Sequence, residues 1–237
     1  MGRSTNKHTK SGRGIAFKVI SMIVAIVVTF SAAMVLVLRW LPIPTSSFML
    51  QSSFKGASVT YHWVDWQHIS PALAIAVVAA EDQKFPMHAG FDLEAIAQAV
   101  NDNKTRSRPR GASTISQQVA KNLFLWSGRS WTRKGLEVYF TFLIELLWSK
   151  QRILEVYLNI AQFGPTTFGA AEASRTYFGI PPTGLTPSQA AAMAAVLPNP
   201  SQLDINHPSL YLRQRTAEIQ QQVKLMGGPR YLSTIVN

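Results

Sequence analysis

Cysteine is absent from the 237 residues, which excludes disulfides and thiolate metal sites but leaves the compartment open. Acid is scarce. Twelve Asp and Glu stand against twenty-three Lys and Arg, and none of the twelve lies in residues 1–39. Internal repeats are not evident. His62 and His68 have no acid or histidine partner at ligand spacing, so both read as structural rather than metal-binding. No aromatic-basic motif of a nucleic-acid binder accompanies the net charge of +11, and nucleic acid is not expected as a partner. That charge is unevenly spread. Residues 1–39 carry +6 and the remainder +5. The larger part is therefore mildly basic, which suits anionic lipid or a phosphate-bearing substrate.

Charge is missing altogether from Val19 to Leu38, a run of twenty residues closed by Arg39 and Trp40. As a helix it is roughly 30 Å long, the thickness of a bilayer core. Five basic residues precede it: Arg3, Lys7, Lys10, Arg13 and Lys18. They predict a cytoplasmic N-terminus with the remainder exported. The run is too long for the apolar region of a cleaved signal, and Ser31-Ala32-Ala33 is a poor cleavage site, so an uncleaved anchor is expected. The organisation expected is a basic tail over 1–18, a transmembrane anchor over 19–39, a linker over 40–58 and one domain over 59–237.

What the domain has in abundance is helical patterning. Ser70-Pro71 is a helix start, a hydroxyl cap followed by proline at the first helical position. Pro71 to Ala80 is almost wholly apolar and should be buried on most sides. It ends in two carboxylates, Glu81 and Asp82. Acids at a helix C-terminus oppose the macrodipole. A carboxyl on an apolar helix is also a candidate general base, because desolvation raises its pKa toward neutrality. The bland alternative is a solvated acid pair near Lys84.

The remaining segments also read as helices. Val59 to Trp66 is the exception, an extended stretch or short strand. Asp92 caps a helix to Val100. Asn101 to Arg110 is a basic loop with Lys104, Arg106, Arg108 and Arg110. Ser113 or Thr114 caps the next helix, on which Gln117 and Lys121 share a face. Leu123 to Trp131 is a loop with Phe124, Trp126 and Arg129. Thr132 caps a long helix from Arg133 to about Trp148, where Arg133 and Glu137 pair at i,i+4. Val138 to Trp148 is apolar nearly all round and is expected as the central buried helix. Ser149 caps a helix to Asn159. Phe168–Tyr177, Thr186–Leu197 and Leu210–Met226 complete the set.

Five blocks occur in order: Glu81-Asp-x-x-Phe-x-x-His88-x-Gly-x-Asp92, Gly111-x-Ser-Thr-Ile-x-Gln-Gln-x-x-Lys-Asn122, Arg133-Lys-x-x-Glu137, Lys150-x-x-Ile-Leu-Glu-x-Tyr-Leu-Asn159, and Gly169-Ala-Ala171 with Tyr177-Phe-Gly179. Together they resemble the peptidoglycan glycosyltransferases of glycosyltransferase family 51, over roughly residues 60–226. Five ordered blocks are far more specific than any one motif. Ile180 departs from the Lys that many members carry. Two Ser-x-x-Lys matches, at Ser4 and Ser52, lie in the tail and the linker with no Lys-Thr-Gly after them, so no transpeptidase domain is expected.

The resemblance implies a mostly α, lysozyme-like helical domain with a hydrophobic jaw near the membrane. It implies polymerisation of lipid II into β-1,4 glycan strands, with inversion and release of polyprenyl diphosphate. Lipid II, the growing strand, membrane lipids and other cell-wall synthesis and division proteins are the implied partners, at the bacterial cytoplasmic membrane. Glu81 matches the base and Glu137 a second catalytic acid. Lys121 and Arg129 match cations at the diphosphate. Asp82, Ser113, Gln117, Gln118 and Arg133 match binding or scaffold positions, while Glu155 and Asn159 read as structural. No resident metal is required, with Mg²⁺ or Mn²⁺ an optional helper. A lysozyme-like or lytic hydrolase acting on finished peptidoglycan is the alternative, since it too needs a carboxylate on a helix.

Overall fold

The computed structural model describes residues 9–102 and 112–236. Most of the basic loop, residues 103–111, and the first eight residues of the basic tail lie outside the described residues. The chain divides into two compact units, Met1–Leu41 and Pro42–Asn237.

The first unit is a helix, α1 (Thr9–Val37). Its segment Ile15–Val37, with an eighteen-residue window of mean hydropathy 2.7, is long and apolar enough to cross a membrane. The charge-free run that begins at Val19 lies within this segment.

In the second unit the described residues form nine α-helices and no strand: α2 (Ser47–Phe54), α3 (Pro71–Glu81), α4 (Leu93–Asp102), α5 (Ile115–Phe124), α6 (Trp131–Leu147), α7 (Lys150–Ile160), α8 (Ala170–Phe178), α9 (Pro187–Val196) and α10 (Leu210–Leu225). The mostly α class expected from the sequence is what the chain adopts. Most helices begin where a hydroxyl can cap. Ser70 Oγ accepts from Ala72 N–H at the start of α3, and Ser149 Oγ from Arg152 N–H at the start of α7. Thr114 and Thr186 each form a reciprocal capping box, with Gln117 and Gln189.

The core is built on α3, α7 and α9. Leu73 to Ala79 are buried without a break, as are Val156 to Ile160 and Met193 to Val196. Each of these runs is covered on all sides, which is why its sequence is apolar almost throughout rather than on one stripe. α3 packs against α9 and α10, and α5 against α6, α7 and α2. Glu81, the last residue of α3, therefore sits where the two groups of helices meet.

Three expectations differ from the structure. α6 is not the central buried helix. It buries Glu137, Thr141, Leu143 and Ile144, while Trp131, Val138, Phe142 and Leu146 form an exposed stripe on another face. Its N-cap is Ser130 rather than Thr132, because Ser130 Oγ reaches Arg133 N–H. The stretch expected as a linker contains α2, capped by Ser46 and anchored by buried Met49. Of the two readings of Val59 to Trp66, the chain adopts the extended stretch rather than the strand. The regular pairing of this stretch is limited to an isolated bridge between Thr60 and Thr167.

Candidate active site

The first sequence block wires the end of α3 to the start of α5. Glu81 and Asp82 are neighbours with separate tasks. Asp82 is buried, and both of its oxygens are engaged. Oδ2 accepts from Ile115 N–H at 2.9 Å, and Oδ1 lies 2.9 Å from His88 Nε2. Gly90 N–H donates to His88 Nδ1, so that nitrogen carries the lone pair and Nε2 carries the hydrogen that Asp82 accepts. Gly90 has φ +85°, and a Cβ there would lie 2.8 Å from Thr141 and 2.9 Å from Glu145. Only glycine fits both restrictions. Its carbonyl accepts from Thr114 Oγ1 at 2.7 Å, which fixes the cap of α5. Asp92 closes the block by capping α4 through Ala95 N–H.

This wiring leaves Glu81 free to face a cleft of about 240 Å³ lined by Glu81, Lys84, Asp92, Gln98, Ser113 and Thr114 among others. Gln118 Nε2 donates to Glu81 Oε2 at 2.8 Å. Burial pushes the Glu81 carboxyl above its ordinary range. The Gln118 hydrogen bond, Arg215 and Lys121 pull it back, and Asp82 adds to the rise. Arg215 reaches in from α10 and donates to the carbonyl of Ala80 at 3.1 Å.

A second cluster lies on α5 and α6. Glu137 is buried and holds two cations. Arg133 Nη1 donates to its Oε2 at 2.6 Å, and Lys134 Nζ to its Oε1. Arg133 Nε is buried without a hydrogen-bond partner among the described residues, a donor left for a ligand or water. Arg129 lines a shallow depression with Arg133 and Lys134. Lys121 lies within electrostatic reach of both carboxylates. Burial lowers its pKa, while Glu137 and Glu81 oppose that fall. Its Nζ stands 5.5 Å from the centre of the Phe48 ring, within cation–π range.

The sequence profile of the transglycosylase family matches residues 49–224. The chain belongs to the transglycosylase family. Among the relatives of this transglycosylase, a biosynthetic peptidoglycan transglycosylase of Xanthomonas campestris pv. campestris (strain B100) is 51% identical over 209 residues, covering 85% of each chain. A protein of the same name from Pseudomonas entomophila (strain L48) is 51% identical over 208 residues, covering 85% of this chain and 88% of the relative.

Of the residues singled out in the sequence, the transglycosylase brings Glu81 and Gln118 into direct contact, and Arg133 and Glu137 likewise. Ser113 is exposed at the cleft. Gln117 is turned into the capping box, its Oε1 accepting from Thr114 N–H, so it shapes α5 rather than presenting that oxygen to the cleft. Glu155 and Asn159 hold the extended segment through Trp66 N–H and the backbone of Val64. Three contributors were not foreseen. Lys134 stands at i,i+3 from Glu137, a spacing that could have found it. Tyr157 of α7, whose hydroxyl donates to Gln118 Oε1 at 3.1 Å, has no local signal beyond that of a core residue. Arg215 has no local signal, because its contact is 135 residues away. Among the described residues no group of three His, Asp or Glu could hold a metal. Glu137 has both oxygens engaged by Arg133 and Lys134.

Proposed function

We propose that this transglycosylase polymerises lipid II into β-1,4 glycan strands. The 4-hydroxyl of the acceptor sugar attacks the anomeric carbon of the growing strand. The carbon–oxygen bond to the polyprenyl diphosphate breaks, and the configuration inverts in one displacement. Glu81 takes the hydroxyl proton. Its raised pKa suits a base that works near neutrality. The diphosphate departs with its charge stabilised rather than protonated. Lys121, Arg129, Arg133 and Lys134 supply that stabilisation, and Glu137 orients two of them. Asp82 and Gln117 fix α5, and Ser113 contacts the acceptor side.

The observation that carries this reading is the pairing of one part-buried carboxyl, facing a cleft, with a separate group of cations gathered about a buried carboxylate. A lysozyme-like hydrolase needs the first feature and not the second. The apolar helix Ile15–Val37 supplies a single-pass anchor in the cytoplasmic membrane. The basic residues before it support a cytoplasmic N-terminus with the second unit outside. Lipid II and membrane lipid are then met at one surface.

The test is incubation of purified full-length protein with lipid II, and separately with mature sacculi. Polymer from lipid II with sacculi left intact is the expected result. Soluble fragments from sacculi without polymer would reverse the assignment to a hydrolase. Glu81→Gln should lower turnover by about a hundredfold or more while circular dichroism stays unchanged. Near-normal turnover would remove Glu81 as the base.

A further inference from the structure

We propose, taking Glu81 as the base, that Tyr157 is a positioning residue for the proton transfer and acts through Gln118. Three helices meet at this chain of contacts. Tyr157 of α7 is 1% exposed. Its hydroxyl donates to Gln118 Oε1 at 3.1 Å, and Gln118 Nε2 on α5 donates to Glu81 Oε2 at 2.8 Å on α3.

A glutamine amide has a donor end and an acceptor end. An ionised carboxylate only accepts, so the base-competent form of Glu81 requires the amide nitrogen. The reversed amide would set oxygen against oxygen, and it suits only protonated Glu81. Tyr157 decides between the two. Its hydroxyl hydrogen needs an acceptor in a buried site, and Gln118 Oε1 is its hydrogen-bond acceptor among the described residues. With the amide reversed, that hydrogen has no partner. Tyr157 therefore holds Gln118 in the orientation that keeps Glu81 ready to receive a proton. The phenol is itself kept protonated. Burial raises its pKa well above the ordinary value, and the carboxylates of Glu81 and Asp82 add to the rise. The other groups bearing on Glu81 are Lys121 of α5, Arg215 of α10 and Asp82 next in the chain. Arg215 is spent on the Ala80 carbonyl and Asp82 on Ile115 and His88, which leaves Tyr157 to set the amide.

The test is the pH dependence of kcat/KM for lipid II polymerisation by the full chain. Tyr157→Phe keeps the ring and removes the donor. The acidic limb should move to higher pH by about half a unit or more, with the rate loss larger on the acidic side than on the plateau. Gln118→Ala should move the limb in the same direction, and adding Tyr157→Phe to it should move it no further. A purely structural tyrosine would lower the rate equally at every pH, and its effect would add to that of Gln118→Ala; either result overturns the proposal. Gln118→Ala leaves the core tyrosine in place, so an unmoved limb in that variant counts against the proposal even if Tyr157→Phe does not fold. Activity in Glu81→Gln would instead defeat the base assignment, whereas an unmoved limb beside an inactive Glu81→Gln defeats the positioning role alone.

Discussion

Glu81 is an acid at the negative end of an apolar helix, with burial raising its pKa. The folded protein holds its proton more tightly than the unfolded chain does. Between the ordinary carboxylate range and the raised value, the native state binds more protons, so stability falls as pH rises through that window. Glu81→Gln removes the cost and keeps an acceptor for Gln118. Its melting temperature should exceed that of the parent at neutral pH, and the difference should close in acid. A gain of about 1 kcal/mol corresponds to roughly 2–4 °C in a domain of this size. Calorimetry at two pH values checks it, and a parent that melts higher at neutral pH would show that Glu81 stabilises the fold. The position of Glu81 was legible because an acid ending an apolar run conflicts with local preference. The surroundings were not. Gln118, Tyr157 and Arg215 lie 37, 76 and 134 positions away along the chain, and no periodicity encodes which of them meet.

Helix starts were legible because caps are local chemistry, and Ser70, Asp92, Thr114 and Ser149 all act where a hydroxyl or carboxylate precedes an apolar run. α6 shows the limit. An apolar stripe has the same pattern whether protein or another apolar medium covers it, so the sequence could not tell its exposed face from its buried one. α2 was hidden by the serines around it, which resemble a linker. The α5 start yields a prediction. Asp82→Asn would turn an amide nitrogen toward one of two donors, His88 Nε2–H or Ile115 N–H. Loss of that buried acceptor should destabilise the protein by about 1–3 kcal/mol, read as a lower urea midpoint. Turnover should fall as well, since α5 carries Gln118 and Lys121. An unchanged midpoint would mean that Asp82 does not fix the cap.

At the scale of the molecule, two separate apolar surfaces stand out, each within its own unit. One is the span Ile15–Val37. The other is the α6 stripe, where Trp131 is 90% exposed and Phe142 60%, with Val138 and Leu146 on the same face. Positions 131, 138, 142 and 146 fall on one side of a helix at 3.6 residues per turn. Contiguous exposed apolar area of this kind marks a contact surface, and a lipid-linked substrate supplies a bilayer for it to meet. A chain beginning at Pro42 should therefore stay folded on its own core and still bind lipid vesicles, more weakly than the whole chain. In that shortened chain, Trp131→Ser with Phe142→Ser should remove about 3 kcal/mol of apolar transfer, roughly a hundredfold in vesicle partitioning. Co-sedimentation measures it, with circular dichroism as the check on folding. Equal binding by the shortened chain and its double variant would mean that α6 faces water, leaving α1 as the membrane contact.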